Sequence, residues 1–118
     1  MIEILKPDFE FNDDRGKLMQ LLHGDIAQVN YVESNPSSLR GGHYHKLNKE
    51  TFFIIDGEVA VTVKKDGNEA THLFKSGDMF SIEKNVIHSF DYKKFTTLIV
   101  TYDKGVELPD GTKDIYSE

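Results

Sequence analysis

The chain has 118 residues, which predicts a single domain over residues 1–118 with one hydrophobic core. Its 14 basic and 20 acidic side chains give a formal net charge of −6, which argues against a general surface for nucleic acid or for anionic membranes. There is no cysteine, so disulfides and thiolate metal sites are excluded. The sequence shows neither a signal peptide nor an apolar run of membrane-spanning length, and we expect a cytoplasmic protein.

Short apolar segments separated by turn residues predict an all-β fold, a sandwich or a barrel. The alternation of Val59, Val61 and Val63 before Asp66-Gly67 is typical of a hairpin. A core over residues 11–102 is followed by a tail, residues 103–118, which we expect to be loosely held. The predicted strands are residues 18–22, 27–33, 42–45, 51–55, 58–64, 71–74, 79–82, 88–92 and 95–102.

Three histidines and one glutamate form a candidate metal site. His43 and His45 are two residues apart, so in a strand both side chains point to the same face. Glu50 and His88 complete a set of nitrogen and oxygen ligands that suits zinc, iron, manganese, nickel or cobalt, among which the sequence does not choose. The alternative is that such histidines are surface or hydrogen-bonded residues that fall two apart by chance.

The order and spacing of these four residues, with Gly57 and Gly77 between them, resemble the two cupin motifs. The resemblance implies a small β jelly roll, the double-stranded β-helix of RmlC-like cupins, and a homodimer. It also implies that His43, His45, Glu50 and His88 bind a divalent transition metal.

The only two arginines, Arg15 and Arg40, are each followed by glycine. A guanidinium group binds phosphate through two parallel hydrogen bonds, so both would suit a diphosphate. In a regular strand Arg40 and His43 would face opposite sides, but a bulge at the two glycines between them could turn both toward one cavity. The alternative is that both arginines are solvated turn residues.

The Asp-x-Arg-Gly motif around Arg15, the Gln28-x-Asn30 pair and the Arg40-Gly-x-His43-Tyr motif together resemble the dTDP-4-dehydrorhamnose 3,5-epimerase family. The resemblance implies that Arg15, Gln28, Asn30 and Arg40 contact a nucleotide sugar and that His43 is the catalytic base. The Arg-Gly-Gly-His-x-His pattern is also similar to that of sugar 3,4-ketoisomerases. Around Glu50 the chain most resembles the C-terminal cupin of bifunctional capsular-polysaccharide enzymes, which carries a metal.

The leading hypothesis is a metal-assisted isomerase or epimerase acting next to the keto group of a dTDP- or UDP-linked 4-keto-6-deoxyhexose, in surface-polysaccharide biosynthesis. If all three histidines bind metal, Tyr92 or Tyr102 would have to serve as the base, whereas without metal His43 is the natural base. A metal-dependent cupin of another class, such as a dioxygenase, and a non-catalytic sugar-binding cupin are the alternatives.

Overall fold

The computed structural model describes residues 1–118 and consists of strands, turns and loops without a helix, so no helix could span a bilayer. Most of the predicted strands are present within a few residues of the expected bounds, and the prediction of an all-β fold is confirmed. In chain order the strands are β1 (Ile2–Leu5), β2 (Phe9–Asp13), β3 (Gly16–Gln20), β4 (Gln28–Ser34), β5 (Leu39–Tyr44), β6 (Glu50–Asp56), β7 (Glu58–Lys65), β8 (Asn68–Lys75), β9 (Met79–Ile82), β10 (Ile87–Tyr92), β11 (Thr96–Tyr102) and β12 (Tyr116–Ser117).

Two five-stranded antiparallel sheets enclose the core. One has the order β1-β9-β6-β11-β4 and the other the order β12-β5-β10-β7-β8, while β2 and β3 form a separate hairpin. Inward residues alternate with outward ones, so that Val59, Val61 and Val63 on β7 are completely buried and the residues between them are partly exposed. The result is a jelly roll whose interior is accessible from one end.

Stacked phenylalanines fill the middle of the interior. The ring centroids of Phe74 and Phe80 are 3.9 Å apart, and Phe52 lies 4.9 Å from Phe80 and 5.0 Å from Phe90. On strand β10 the aromatic core borders a polar region. His88 lies on the same side of the strand as Phe90, and their ring centroids are 6.2 Å apart. Side chains on β10 therefore line both the packed core and the polar end of the interior.

The prediction of a loosely held tail over residues 103–118 is wrong. Strand β12 pairs with β5, and Asp114 is completely buried. The stretch before Asp114 is a loop, as its proline and glycine indicate, but Asp114 and the residues that follow it are fixed by hydrogen bonds to distant parts of the chain. Local turn residues predict a loop without showing what it packs against.

Strands β1, β2 and β12 were not expected, and β1 and β12 lie outside the expected core.

Candidate active site

The structure brings His43, His45, Glu50 and His88 together at the polar end of the interior. His43 on β5 and His88 on β10 are cross-strand partners, His45 directly follows β5, and Glu50 begins β6. One ring nitrogen from each of the three histidines lies within 4.8 Å of the others. The Oε1 atom of Glu50 is 3.2 Å from Nε2 of His45 and 3.2 Å from Nε2 of His88.

The arrangement of these atoms fits a divalent transition metal. Nε2 of His45 and Oε1 of Glu50 are buried and have no hydrogen-bond partner, although they lie 3.2 Å apart. A buried polar group without a partner costs about 1–3 kcal/mol. Metal–ligand bonds of about 2.1 Å place neighbouring ligand atoms roughly 3.0–3.4 Å apart, which matches the contacts of Glu50.

Backbone carbonyl groups contact Nδ1 of His45 and of His88, the ring nitrogens that point away from Glu50. Nδ1 of His45 lies 2.5 Å from the carbonyl oxygen of Asp114, and Nδ1 of His88 lies 3.0 Å from that of Val86. Since a carbonyl oxygen only accepts, each Nδ1–H donates. In its neutral form each ring then presents an unprotonated Nε2 toward Glu50, as metal-binding histidines do.

The three rings differ electrostatically. Burial lowers the pKa of His43, and the neighbouring His88 lowers it further. Burial also lowers the pKa of His88, against the opposing effect of Glu50. At His45 burial acts in the same direction, but the Glu50 carboxylate and the Asp114 carbonyl outweigh it, so the pKa of His45 is raised. His43 and His88 are therefore neutral at pH 7.

A cavity of about 120 Å³ opens next to the cluster. Its wall combines an apolar surface with polar and titratable side chains. The polar lining residues are Arg40, His43, Glu50, His88, Tyr92 and Tyr102, and the apolar ones are Val32, Phe52, Phe90, Leu98 and Val100.

A bulge at Gly41-Gly42 turns Arg40 and His43 toward the same cavity, as the sequence suggested. In the pairing of β5 with β10, His43 lies opposite His88 and Gly41 opposite Ser89, so Gly42 is the extra residue. The Arg40 guanidinium is held at the cavity wall by hydrogen bonds from Nε to Ser34 Oγ, 2.9 Å, and from Nη2 to the carbonyl of Glu33, 3.1 Å.

Tyr92 and Tyr102 both line the cavity, but their environment favours donor roles over base roles. Burial raises the pKa of Tyr92, which lies beside Ser34 and Arg40. Burial and the negative charge of Glu50 raise the pKa of Tyr102. Both hydroxyl groups therefore stay protonated at pH 7. That one of them is the base when all three histidines bind metal stays a prediction.

Gln28 and Asn30 lie on β4 beside the cavity rather than in its wall. Gln28 donates from Nε2 to Asn30 Oδ1, 3.2 Å, and its Oε1 accepts from the backbone N–H of Val106, 2.8 Å. Asn30 lies next to Tyr102. Gln28 thus has a structural partner that its sequence motif does not indicate.

Arg15 is not at the cavity of its own chain, which corrects the expectation that both arginines lie at one barrel mouth. It lies at the turn of the β2–β3 hairpin, where its side chain is 82% exposed and forms an ion pair of 2.5 Å with Asp13. The physical reason is that this hairpin pairs with neither of the two sheets.

Two buried polar residues near the site, Asn48 and Asp114, were missed in the sequence. Asp114 was assigned to the tail, and Asn48 lies in an ordinary loop between His45 and Glu50. Neither belongs to a recognisable motif, so only their burial shows their importance: Asn48 is 1% exposed and Asp114 0%. Burial acts to raise the pKa of the Asp114 carboxyl, but hydrogen bonds from Asn48 and the backbone of Lys46 and Leu47 lower it overall.

The jelly roll, with histidines and a glutamate converging inside one end, defines a protein of the cupin class. Within that class, the family model described as the polysaccharide biosynthesis C-terminal domain matches residues 11–99. The chain belongs to this family. Comparison with curated protein sequences finds no match.

Solved structures with this fold include enzymes of nucleotide-sugar metabolism. A 3,4-ketoisomerase from Helicobacter canadensis has a TM-score of 0.81 at 19% identity, covering 99% of this chain and 90% of that chain. A variant of a 3,4-ketoisomerase from Thermoanaerobacterium thermosaccharolyticum, in complex with TDP-4-keto-6-deoxyglucose, has a TM-score of 0.81 at 18% identity, with 99% and 88% covered. The dTDP-4-dehydrorhamnose 3,5-epimerase from Sulfolobus tokodaii has a TM-score of 0.73 at 19% identity, with 86% and 69% covered. At these identities the likeness shows the fold.

Proposed function

We propose that the protein is an isomerase or epimerase that acts next to the keto group of a dTDP- or UDP-linked 4-keto-6-deoxyhexose, in the biosynthesis of surface polysaccharide. The observation that carries the proposal is the single cavity onto which Arg40 and the histidine–glutamate cluster both open. The family's description and the ligand of the ketoisomerase from Thermoanaerobacterium support this substrate class.

The size of the cavity suggests which part of the substrate it takes. Sites for whole ligands usually measure about 300–1,000 Å³. At about 120 Å³ the cavity accommodates only one end of a nucleotide sugar, which we assign to the sugar ring. The diphosphate then lies outside, where the guanidinium of Arg40 provides paired donors for it.

We assign a divalent transition metal to His45, Glu50 and His88. These three side chains are almost completely buried, and Glu50 is in contact with Nε2 of both histidines. Two histidines and one carboxylate form a common catalytic metal site with open positions. When bound, the metal supplies a Lewis acid for the keto oxygen of the sugar.

His43 is assigned as the base. It is only half-buried, lines the cavity and, unlike His45 and His88, forms no ion pair with Glu50. A proton on the carbon next to a keto group is acidic enough for a positioned imidazole to remove, and its return to a carbon completes the isomerisation or epimerisation. Tyr92 and Tyr102 provide hydroxyl donors for the oxygen that becomes negative when the proton leaves.

A homodimer would explain the β2–β3 hairpin. A two-stranded hairpin is only marginally stable by itself, so its apolar face needs a surface to pack against. In this chain that face is exposed. Its exposed apolar residues are Phe9, Phe11 and Leu18, with exposures of 50%, 53% and 56%. We propose that this face packs against a second copy of the chain, where Arg15 at the hairpin turn reaches the diphosphate of the partner's substrate.

Solvent exchange into the sugar tests the proposal. The protein is incubated in deuterated water with a panel of dTDP- and UDP-linked 4-keto-6-deoxyhexoses, and deuterium on ring carbons is measured by NMR and mass spectrometry. We expect incorporation with at least one sugar, and none across the panel would refute the activity. Bound iron together with substrate-dependent oxygen uptake would instead support a dioxygenase.

Two histidine variants separate the base from the metal ligands. His43→Asn should keep the metal and slow deuterium incorporation by about 10²–10⁴-fold, the usual contribution of a general base. His45→Asn, the matched control, should lose both metal and exchange. Loss of metal from His43→Asn as well would show that His43 is a fourth ligand and not the base.

A further inference from the structure

The C-terminal segment, residues 103–118, is bound along the strand that carries the first histidine. Strand β12 pairs with β5, where Tyr116 lies opposite Tyr44 and Ser117 opposite His43. The backbone N–H of Glu118 donates to the carbonyl of Gly42, 3.0 Å. The segment therefore supports the site from outside, without lining the cavity.

Asp114 fixes this segment to the loop between His45 and Glu50. Its completely buried carboxylate accepts hydrogen bonds from the backbone N–H groups of Lys46, 2.9 Å, and Leu47, 3.0 Å, and from Nδ2 of Asn48, 2.7 Å. No cationic side chain pairs with it. Three converging donors satisfy a buried carboxylate without an ion pair.

Asn48 holds the other end of the same segment. Its Nδ2 also donates to the carbonyl of Gly105, 2.8 Å, and its Oδ1 accepts from the backbone N–H of Lys104, 3.0 Å. Asn48 and Asp114 thus form one buried network that joins both ends of the C-terminal segment to the loop after His45. Their contacts span 56–68 residues of sequence, so they fix tertiary structure rather than a local turn.

We propose that Asp114 is a positioning residue for His45: its carboxylate holds the C-terminal segment on the loop, and its own carbonyl thereby fixes the orientation and tautomer of the His45 ring. The geometry supporting this is the 2.5 Å contact between that carbonyl and Nδ1 of His45, whose Nε2 faces Glu50. Only the metal-binding readout below rests on the proposed function.

The test compares Asp114→Asn with Asp110→Asn. An amide at residue 114 keeps the size of the side chain but brings its own NH₂ group against donors, so one or more of the three hydrogen bonds is lost. Asp110 lies in the same segment, is exposed, and accepts only from Thr112, at 3.0 Å and 2.6 Å. It is therefore a matched control that leaves the site untouched.

Nitrogen-15 NMR of the imidazole rings gives a readout in the metal-free protein. At a pH high enough to deprotonate the ring, we expect a single Nδ1–H tautomer for His45 in the wild type and in Asp110→Asn, and a mixture of tautomers in Asp114→Asn. His88 is an internal control, because the carbonyl of Val86 holds its Nδ1 independently of the C-terminal segment. An unchanged His45 tautomer in Asp114→Asn would overturn the proposal, as would an equal change at His88.

Titration with Co²⁺ alone gives the second readout. Asp114→Asn should bind Co²⁺ about 10–100-fold more weakly, the usual effect of losing a partner of a metal-binding histidine, while Asp110→Asn binds as the wild type does. Equal affinity in both variants would contradict the proposal. If Asp114→Asn does not fold, Asp114→Glu, which keeps the charge but moves the carboxylate by one methylene group, should show the same two changes. A wild type that binds no metal would refute the metal assignment, and the NMR result would then decide the role of Asp114.

Discussion

Gly41→Ala should destabilise the fold at the bulge that orients the site. Gly41 has φ +126°, a conformation that residues with a Cβ rarely adopt. A Cβ there would collide with the carbonyl oxygen of His88 and lie 2.6 Å from Ser89 Cα. Both are backbone atoms of β10, so no side chain can move aside and the two strands must separate.

Gly42→Ala provides the matched control, because Gly42 also has a positive φ, +73°, but a Cβ there would have no atom within 4 Å. The positive φ costs alanine about 1–2 kcal/mol at Gly42, close to the left-handed helical region, and at least as much at Gly41. Reduced freedom of the unfolded chain offsets about 0.4–1 kcal/mol of this. A forced backbone shift adds about 1–3 kcal/mol at Gly41. We therefore expect losses of about 1 kcal/mol for Gly42→Ala and about 2–4 kcal/mol for Gly41→Ala.

Urea unfolding followed by circular dichroism measures both free energies of unfolding, and equal m-values show that the comparison is valid. The free energy of unfolding of a domain is usually about 5–15 kcal/mol, so Gly41→Ala should still fold but unfold at a lower urea concentration than the wild type. Deuterium incorporation should fall more than in Gly42→Ala, because Arg40 directly precedes the displaced Gly41 and His43 lies two positions after it. The reasoning is refuted if Gly41→Ala is no less stable than Gly42→Ala.

Three further predictions concern the cavity and the dimer. Arg40→Ala should weaken binding of a nucleotide sugar by about 1.5–3 kcal/mol in calorimetry, with Arg40→Lys intermediate; unchanged affinity would remove the diphosphate assignment. Tyr102→Phe should lower kcat while changing the free energy of unfolding by less than about 1.5 kcal/mol, and a normal kcat would exclude the hydroxyl from the reaction. Phe11→Asp should yield monomers in light scattering; a monomeric wild type would contradict the dimer instead.

The sequence predicted those features that depend on short-range periodicity and motif spacing. The two-residue spacing of His43 and His45 predicted that both point to the same face, and the resemblance to the cupin motifs added His88 to the same site. The bulge at Gly41-Gly42 was also predictable, since glycine tolerates conformations that other residues avoid. The cupin fold is confirmed for the same reason: its motifs are local.

What the sequence did not predict depends on contacts between distant residues. The motif around Arg15 indicates a turn but not whether the hairpin pairs with either five-stranded sheet of its own chain, and it does not. The residues around Asp114 indicate a loop, yet the carboxylate is bound 68 positions earlier in the chain, at Lys46. A contact between two residues so far apart produces no periodic pattern in the sequence. The C-terminal segment was therefore expected to be loosely held.

The different surroundings of the three histidines are the strongest argument for dividing their roles. His45 and His88 each have a carbonyl oxygen at Nδ1 and the Glu50 carboxylate at Nε2, so both rings are held from two sides. A ring fixed in this way suits a metal ligand, whose direction must not change. His43 lacks the carboxylate contact and is only half-buried at the cavity wall, which suits a group that exchanges a proton with substrate. Because Glu50 makes this difference, Glu50→Gln should weaken metal binding at His45 and His88 while leaving the fold intact.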